Sequence, residues 1–152
     1  MADLPEFTVR VYGLFVNDQN QVLVVDEFQL GKAMTKFPGG GLEFGEGTIE
    51  CLKREAMEEM NQPIEVLSHF YTTDFFQPAF FYEHVQLISI YYLARLLPPL
   101  KFKASSRAFD FSEMKNGNMS FRWLNLGDVE PETFTFPVDK MVAMMLKQTT
   151  NA

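Results

Sequence analysis

Apolar and polar positions change period several times along the chain, and each change marks an element. FTVRVYGLFV and QVLVVDEF are rich in β-branched and aromatic residues, which suit a pleated surface. They flank the polar NDQN, so the spacing predicts a β-hairpin. Three glycines and Pro38 then break the chain before a helix predicted from about Thr48 to Asn61. Within it, Ile49, Leu52 and Ala56 form the stripe expected to pack against a sheet. Beyond Pro63, IEVLSHFYT reads as a strand, and HVQLISIYYLARL as a longer one that Pro98 and Pro99 end. Between them TDFFQPAFFYE keeps no steady period and reads as an aromatic-rich loop. KASSRAFDFSEMKNGNMS is a polar loop or short excursion, and FRWLNL returns as a strand with Trp123 in the core. In the tail, Val138, Met141, Val142 and Met145 fall at i, i+3, i+4 and i+7, the buried stripe of an amphipathic helix. Strands outnumber helices and the two helices are far apart, which points to an α+β sandwich packed in layers.

Composition narrows the classes. At 152 residues the chain reads as one domain, and 47% hydrophobic against 22% charged residues excludes a disordered polymer. A net charge of −7 argues against a nucleic-acid polymer as partner, because no basic stripe is available to replace counterions. HVQLISIYYLARLLPPL is interrupted by Gln86, Ser89 and Arg95 and is too short to span a bilayer, so no membrane partner is expected. MADLPEFTVRVYG lacks the regions of a signal peptide. The single cysteine, Cys51, is expected to be a packed thiol that suits a reducing compartment, and a cytoplasmic location is the default expectation.

The helix carries a charge pattern that folding alone does not require. Glu55, Glu58 and Glu59 stand at i, i+3 and i+4, on one face and about one turn apart, where like charges repel. A divalent cation would turn that repulsion into attraction, and clustered hard oxygens suit Mg²⁺ or Mn²⁺ with water and substrate phosphate completing the shell. Arg54 can reach Glu58 at i+4. Residues without Cβ before the helix let the backbone approach a phosphate or metal. With Gly47 as the cap, Glu50 falls where a capping-box glutamate belongs. An acidic helix face is more often mere solvated surface, so the whole arrangement decides. Gly40, Glu46, Arg54, Glu55, Glu58 and Glu59 at these spacings have a chance probability on the order of 10⁻⁶.

That spacing resembles the Nudix box, G-x5-E-x7-R-E-U-x-E-E-x-G-U, with Ala56 at the first apolar position. Asn61 stands in place of the glycine and Gln62 in place of the final apolar residue. Asparagine tolerates the left-handed conformation at a helix end. The resemblance implies the family's α/β/α sandwich, with a mixed β-sheet between helices, and Mg²⁺-dependent hydrolysis of a diphosphate linkage in a small nucleotide, ADP-ribose among the candidates. It implies Glu55, Glu58, Glu59 and the Gly39 carbonyl as metal ligands, Arg54 among the catalytic group, and Gly40 and Glu46 as supports that orient it. The base that deprotonates water is Glu55 or a carboxylate outside the box, for which Glu83 and Glu113 are candidates. The alternative is a Nudix-like module that binds a nucleotide without cleaving it. Such a module would be expected to lose helix carboxylates that are all present here.

Outside the box, His69 and His84 lack metal-ligand spacing and receive no catalytic role. Phe75, Phe76, Phe80, Phe81 and Tyr82 can stack a nucleobase, cover the core or form a homodimer contact. Pro78, sixteen residues beyond Gln62, resembles a proline that marks ADP-ribose pyrophosphatases, so Phe76, Pro78 and Phe80 form the candidate substrate loop.

Overall fold

The computed structural model describes residues 4–150. Strands β1 (Glu6–Phe15), β2 (Gln21–Gln29), β3 (Lys32–Lys36) and β4 (Gly39–Gly41) lead into helix α1 (Thr48–Met60). Strands β5 (Ile64–Thr72), β6 (Val85–Leu96), β7 (Ala104–Ser105) and β8 (Met119–Asn125) follow, and helix α2 (Pro137–Thr150) comes last. Two four-stranded sheets result, ordered β4-β1-β6-β5 and β3-β2-β8-β7. The first is mixed: β1 runs parallel to β6, from Glu6 opposite Val85 to Phe15 opposite Ala94, and antiparallel to β4.

The expected hairpin does not form. Asn17 does make a tight turn, its Oδ1 accepting the amides of Gln19 and Gln21 at 3.1 and 3.0 Å. The strands then touch at one bridge, Val16 to Val22, and part into different sheets. The physical reason lies in burial on both faces. Val22, Leu23, Val24 and Val25 are all buried, whereas a hairpin with one wet face would expose alternate residues.

Alternation instead serves two apolar layers. Tyr12 and Leu14 of β1 and Val22 and Val24 of β2 pack with Val138, Val142, Ala143 and Leu146 of α2. Their neighbours Val11, Phe15, Leu23 and Val25 pack with Cys51, Leu52, Ala56 and Met60 of α1. The strands are thus sandwiched between helices, as expected. Two stripes are rotated from those expected. Ile49 is exposed, and Cys51 and Met60 complete the α1 face. On α2, Ala143 and Leu146 are buried while Met145 is only half-buried. Side chains lean toward the helix N-terminus, so the covered patch is displaced from simple spacing. Trp123 packs against the α1 layer.

The two departures at the α1 exit are satisfied locally. Asn61 takes the left-handed conformation (φ 52°), and its amide bonds the carbonyls of Ala56 and Met57. Gln62 is fully buried, yet its Nε2 donates to the carbonyls of Leu97 (2.7 Å) and Pro63 (3.0 Å) while its Oε1 accepts the Lys101 amide (2.7 Å). A polar tie between α1 and the segment after β6 replaces apolar packing there.

Candidate active site

Helix α1 begins as its sequence requires: the Gly47 amide donates to Glu50 Oε1 at 3.0 Å. One turn later Arg54 organises the acidic face. Its Nη2 donates to Glu46 Oε1 (2.7 Å) and to the Gly41 carbonyl (3.0 Å). Its Nη1 donates to Glu55 Oε1 (3.0 Å) and Glu58 Oε2 (3.2 Å). Charge-assisted donation from Arg54 holds the Glu46 carboxyl down at about 2. The glycines fit around this hub. A Cβ at Gly40 would collide with the Glu55 carboxylate, and one at Gly39 with the Val11 carbonyl.

Gly39, Glu55 and Glu59 line one narrow recess with Pro38, Ala56 and Met60. The Glu59 carboxyl there is pushed up to about 7, first by burial; Glu55 and Glu27 add repulsion, and Lys36 and Arg10 oppose it. Glu58 lies apart, its side chain 57% exposed. Among the described residues no three acidic, histidine or cysteine side chains converge on a common point. Arg54 occupies Glu55 and Glu58 instead.

Beside the recess opens a cleft of about 680 Å³ between the two sheets, a volume suited to a small molecule. One end carries Arg10, Glu27 and Lys36, the groups whose charges reach Glu59. The other carries Pro78, Phe80, Phe81, Tyr82 and Phe136. Phe80 meets Phe81 and Phe136 edge-on at 5.1 and 5.2 Å, and Lys32 Nζ stands 4.7 Å from its ring centre. Backbone bonds from Ala79 to the Val85 carbonyl and from Leu87 to the Gln77 carbonyl, both 2.8 Å, clip this loop onto β6.

Not every expected residue reaches the cleft. Pro78 and Phe80 line it; Phe76 does not and is 71% exposed. Glu83 and Glu113 are exposed and line neither recess nor cleft. Glu113 sits in a turn, its carbonyl accepting Asn118 Nδ2 at 2.9 Å. Of the carboxylates outside the helix that line the cleft (Glu6, Glu27 and Asp139), Glu27 is 8% exposed and faces Lys36 Nζ at 2.7 Å. Sequence reasoning missed it, although a charged pair closing the buried run VLVV was a signal. Asp139 was also missed. It is buried at the cleft wall, accepts Tyr91 Oη at 2.6 Å, and is pushed up to about 6 by burial.

Comparison with known proteins bears on family and fold. A family model described as NUDIX domain matches residues 6–145. Curated protein sequences yield no match. Among solved structures, a NUDIX hydrolase from Nitrosomonas europaea superposes with TM-score 0.69 at 16% identity, covering 94% of this chain and 89% of that one. A MutT protein from Methanosarcina mazei gives 0.68 at 15% identity over 100% of both chains. An ADP-ribose pyrophosphatase from Streptococcus suis gives 0.62 at 13% identity, covering 95% and 92%. At these identities the likeness is one of fold. No described helix is long and apolar enough to cross a membrane.

Proposed function

Because the chain belongs to the Nudix family, whose members are hydrolases of diphosphate bonds, we propose that it cleaves the diphosphate linkage of a small nucleotide with the help of Mg²⁺ or Mn²⁺. One observation carries the reading: a single cleft joins a charged end, whose Arg10, Glu27 and Lys36 act electrostatically on Glu59, to an aromatic end. A nucleotide has the same two parts at the same scale, an anionic diphosphate and a flat base.

The donor set fits a hard cation. Gly40 leaves the space that the Glu55 carboxylate fills, and Glu55 and Glu59 share a recess with Gly39, all oxygen donors. Glu55, Glu59 and the Gly39 carbonyl would hold the metal, with Glu58 joining from the exposed side. When bound, the metal supplies charge neutralisation at phosphate and lowers the pKa of water. Arg54 fixes Glu46, Glu55 and Glu58 relative to the Gly41 carbonyl, so the acidic face is oriented in advance. The aromatic end offers ring faces to a base. Glu55, or Glu27 at the charged end of the cleft, would accept a proton from attacking water. Cys51, buried and free, accords with a reducing cytoplasm.

The rival reading, a nucleotide-binding module without turnover, draws on Arg54 already engaging Glu55 and Glu58. One experiment separates the two. Nucleoside triphosphates, nucleotide sugars, dinucleotides and ADP-ribose are incubated with the protein and Mg²⁺, with phosphomonoesters as controls. Hydrolysis of at least one diphosphate linkage is expected, ADP-ribose being one candidate through the Pro78 loop. Binding without cleavage supports the module, and hydrolysis of phosphomonoesters alone contradicts both.

A further inference from the structure

The cleft holds an arginine that makes no direct ion pair among the described residues. Of the five arginines, Arg54, Arg95, Arg107 and Arg122 each pair with a carboxylate, at 2.7, 2.6, 2.7 and 2.6 Å to Glu46, Glu65, Asp110 and Asp26. Arg10 has no carboxylate within ion-pair distance among the described residues, in a chain of net charge −7. Lys36, its neighbour at the charged end, is already matched by Glu27 at 2.7 Å. An unpaired, half-buried guanidinium is costly unless it has a use.

Its orientation is prepared as well. Arg10 Nε donates to Tyr12 Oη at 2.7 Å. Tyr12 stacks on Tyr91 at 5.2 Å, and Tyr91 Oη is anchored to Asp139 at 2.6 Å. Among the described residues the guanidinium's hydrogen-bond partner is thus a phenol, kept neutral by burial. Across the strand pair Arg10 lies opposite Gly41, which puts no side chain against Nη1, where a Cβ would stand 3.9 Å away. A planar fork held on one edge and open on the other matches the bidentate geometry of a phosphate.

We propose that Arg10 is a specificity-determining residue that grips the substrate's diphosphate from the sheet side of the cleft, across from the α1 carboxylates, with Tyr12 as its positioning residue. This rests on the nucleotide reading of the same cleft. A guanidinium with no carboxylate partner among the described residues suits a diphosphate better than a longer, more highly charged phosphate chain, whose extra charges would meet Glu27 and Glu6 along the same walls.

Binding in EDTA tests the grip apart from turnover. ADP, GDP, CDP and UDP are titrated against their parent nucleosides by calorimetry, with wild type, Arg10→Met and Arg10→Lys, after thermal melts confirm folding. The wild type should bind at least one diphosphate at least about tenfold more tightly than its nucleoside. Arg10→Met should lose that preference while keeping nucleoside affinity, and Arg10→Lys should recover only part of it. Equal preference in wild type and Arg10→Met overturns the proposal, as does a wild type that prefers no diphosphate. A wild type that binds diphosphates through Arg10 yet hydrolyses nothing would sink the enzymatic reading alone.

Discussion

Gly40 and Glu55 compete for one space: a Cβ built on Gly40 would collide with the Glu55 carboxylate, which lies across the strand. A glycine fifteen residues before the glutamate is therefore needed for room. Gly40→Ala should displace Glu55 and strain the α1 packing, at a cost of about 1–3 kcal/mol. Turnover should fall at least about tenfold, in parallel with a lowered melting temperature. An alanine variant with unchanged activity and melting would contradict this placement.

Bound metal should stabilise the fold. Glu55 and Glu59 share a recess, and a ligand that binds only the native state raises stability by mass action. Thermal melting should rise with Mg²⁺ or Mn²⁺ by more than with NaCl at matched ionic strength. Equal shifts would mean ordinary screening.

Restoring the family's apolar residue at the α1 exit should do harm. Gln62→Leu removes the partners of the Leu97 carbonyl and the Lys101 amide, both close to a fully buried site. Leaving such groups unpaired costs about 1–3 kcal/mol. Urea denaturation should show that loss with kcat unchanged, because Gln62 lines neither the cleft nor the recess.

Asp139 should make stability depend on pH. Burial pushes its carboxyl up to about 6, so the folded state holds the proton more tightly than the unfolded one. That contribution is complete below the ordinary value of about 4 and is lost as pH rises through about 6. Asp139→Asn removes the titration and keeps an oxygen for Tyr91 Oη. Relative to wild type, the variant should gain up to about 3 kcal/mol between pH 4 and pH 8. Urea melts at both pH values check this, and parallel profiles would contradict it.

What was legible in the chain was what is local. The acidic face of α1, its Gly47 start and its Asn61 end follow from residues within two turns of one another, where spacing translates directly into direction. The cleft is not local. Arg10 and Ser89, or Tyr12 and Tyr91, meet through parallel pairing of β1 with β6, about eighty residues apart in the chain. No periodicity within either strand announces that partner. NDQN misled for a related reason: turn chemistry specifies a reversal, but the next pairing of each strand is decided by which layers bury it. Glu27 stayed hidden because a glutamate after VLVVD reads as a strand's wet end, until β3 closes over it with Lys36.

On the proposed function, Glu55 and Glu59 form a metal-dependent catalytic site and not a solvated acidic surface. Steady-state hydrolysis of the best diphosphate substrate in Mg²⁺ should be compared for wild type, Glu59→Gln and Glu50→Gln, with urea melts alongside. Glu59→Gln keeps size but removes a hard ligand, and kcat should fall at least about 10²-fold, or roughly 2.7 kcal/mol of transition-state stabilisation. Its metal-free stability should stay level or rise, because a half-buried carboxylate repelled by Glu55 and Glu27 has been replaced by a neutral amide. Glu50→Gln still offers an oxygen to the Gly47 amide and should remain within about threefold of wild type. Full activity in Glu59→Gln, or a loss explained entirely by unfolding, would contradict the account.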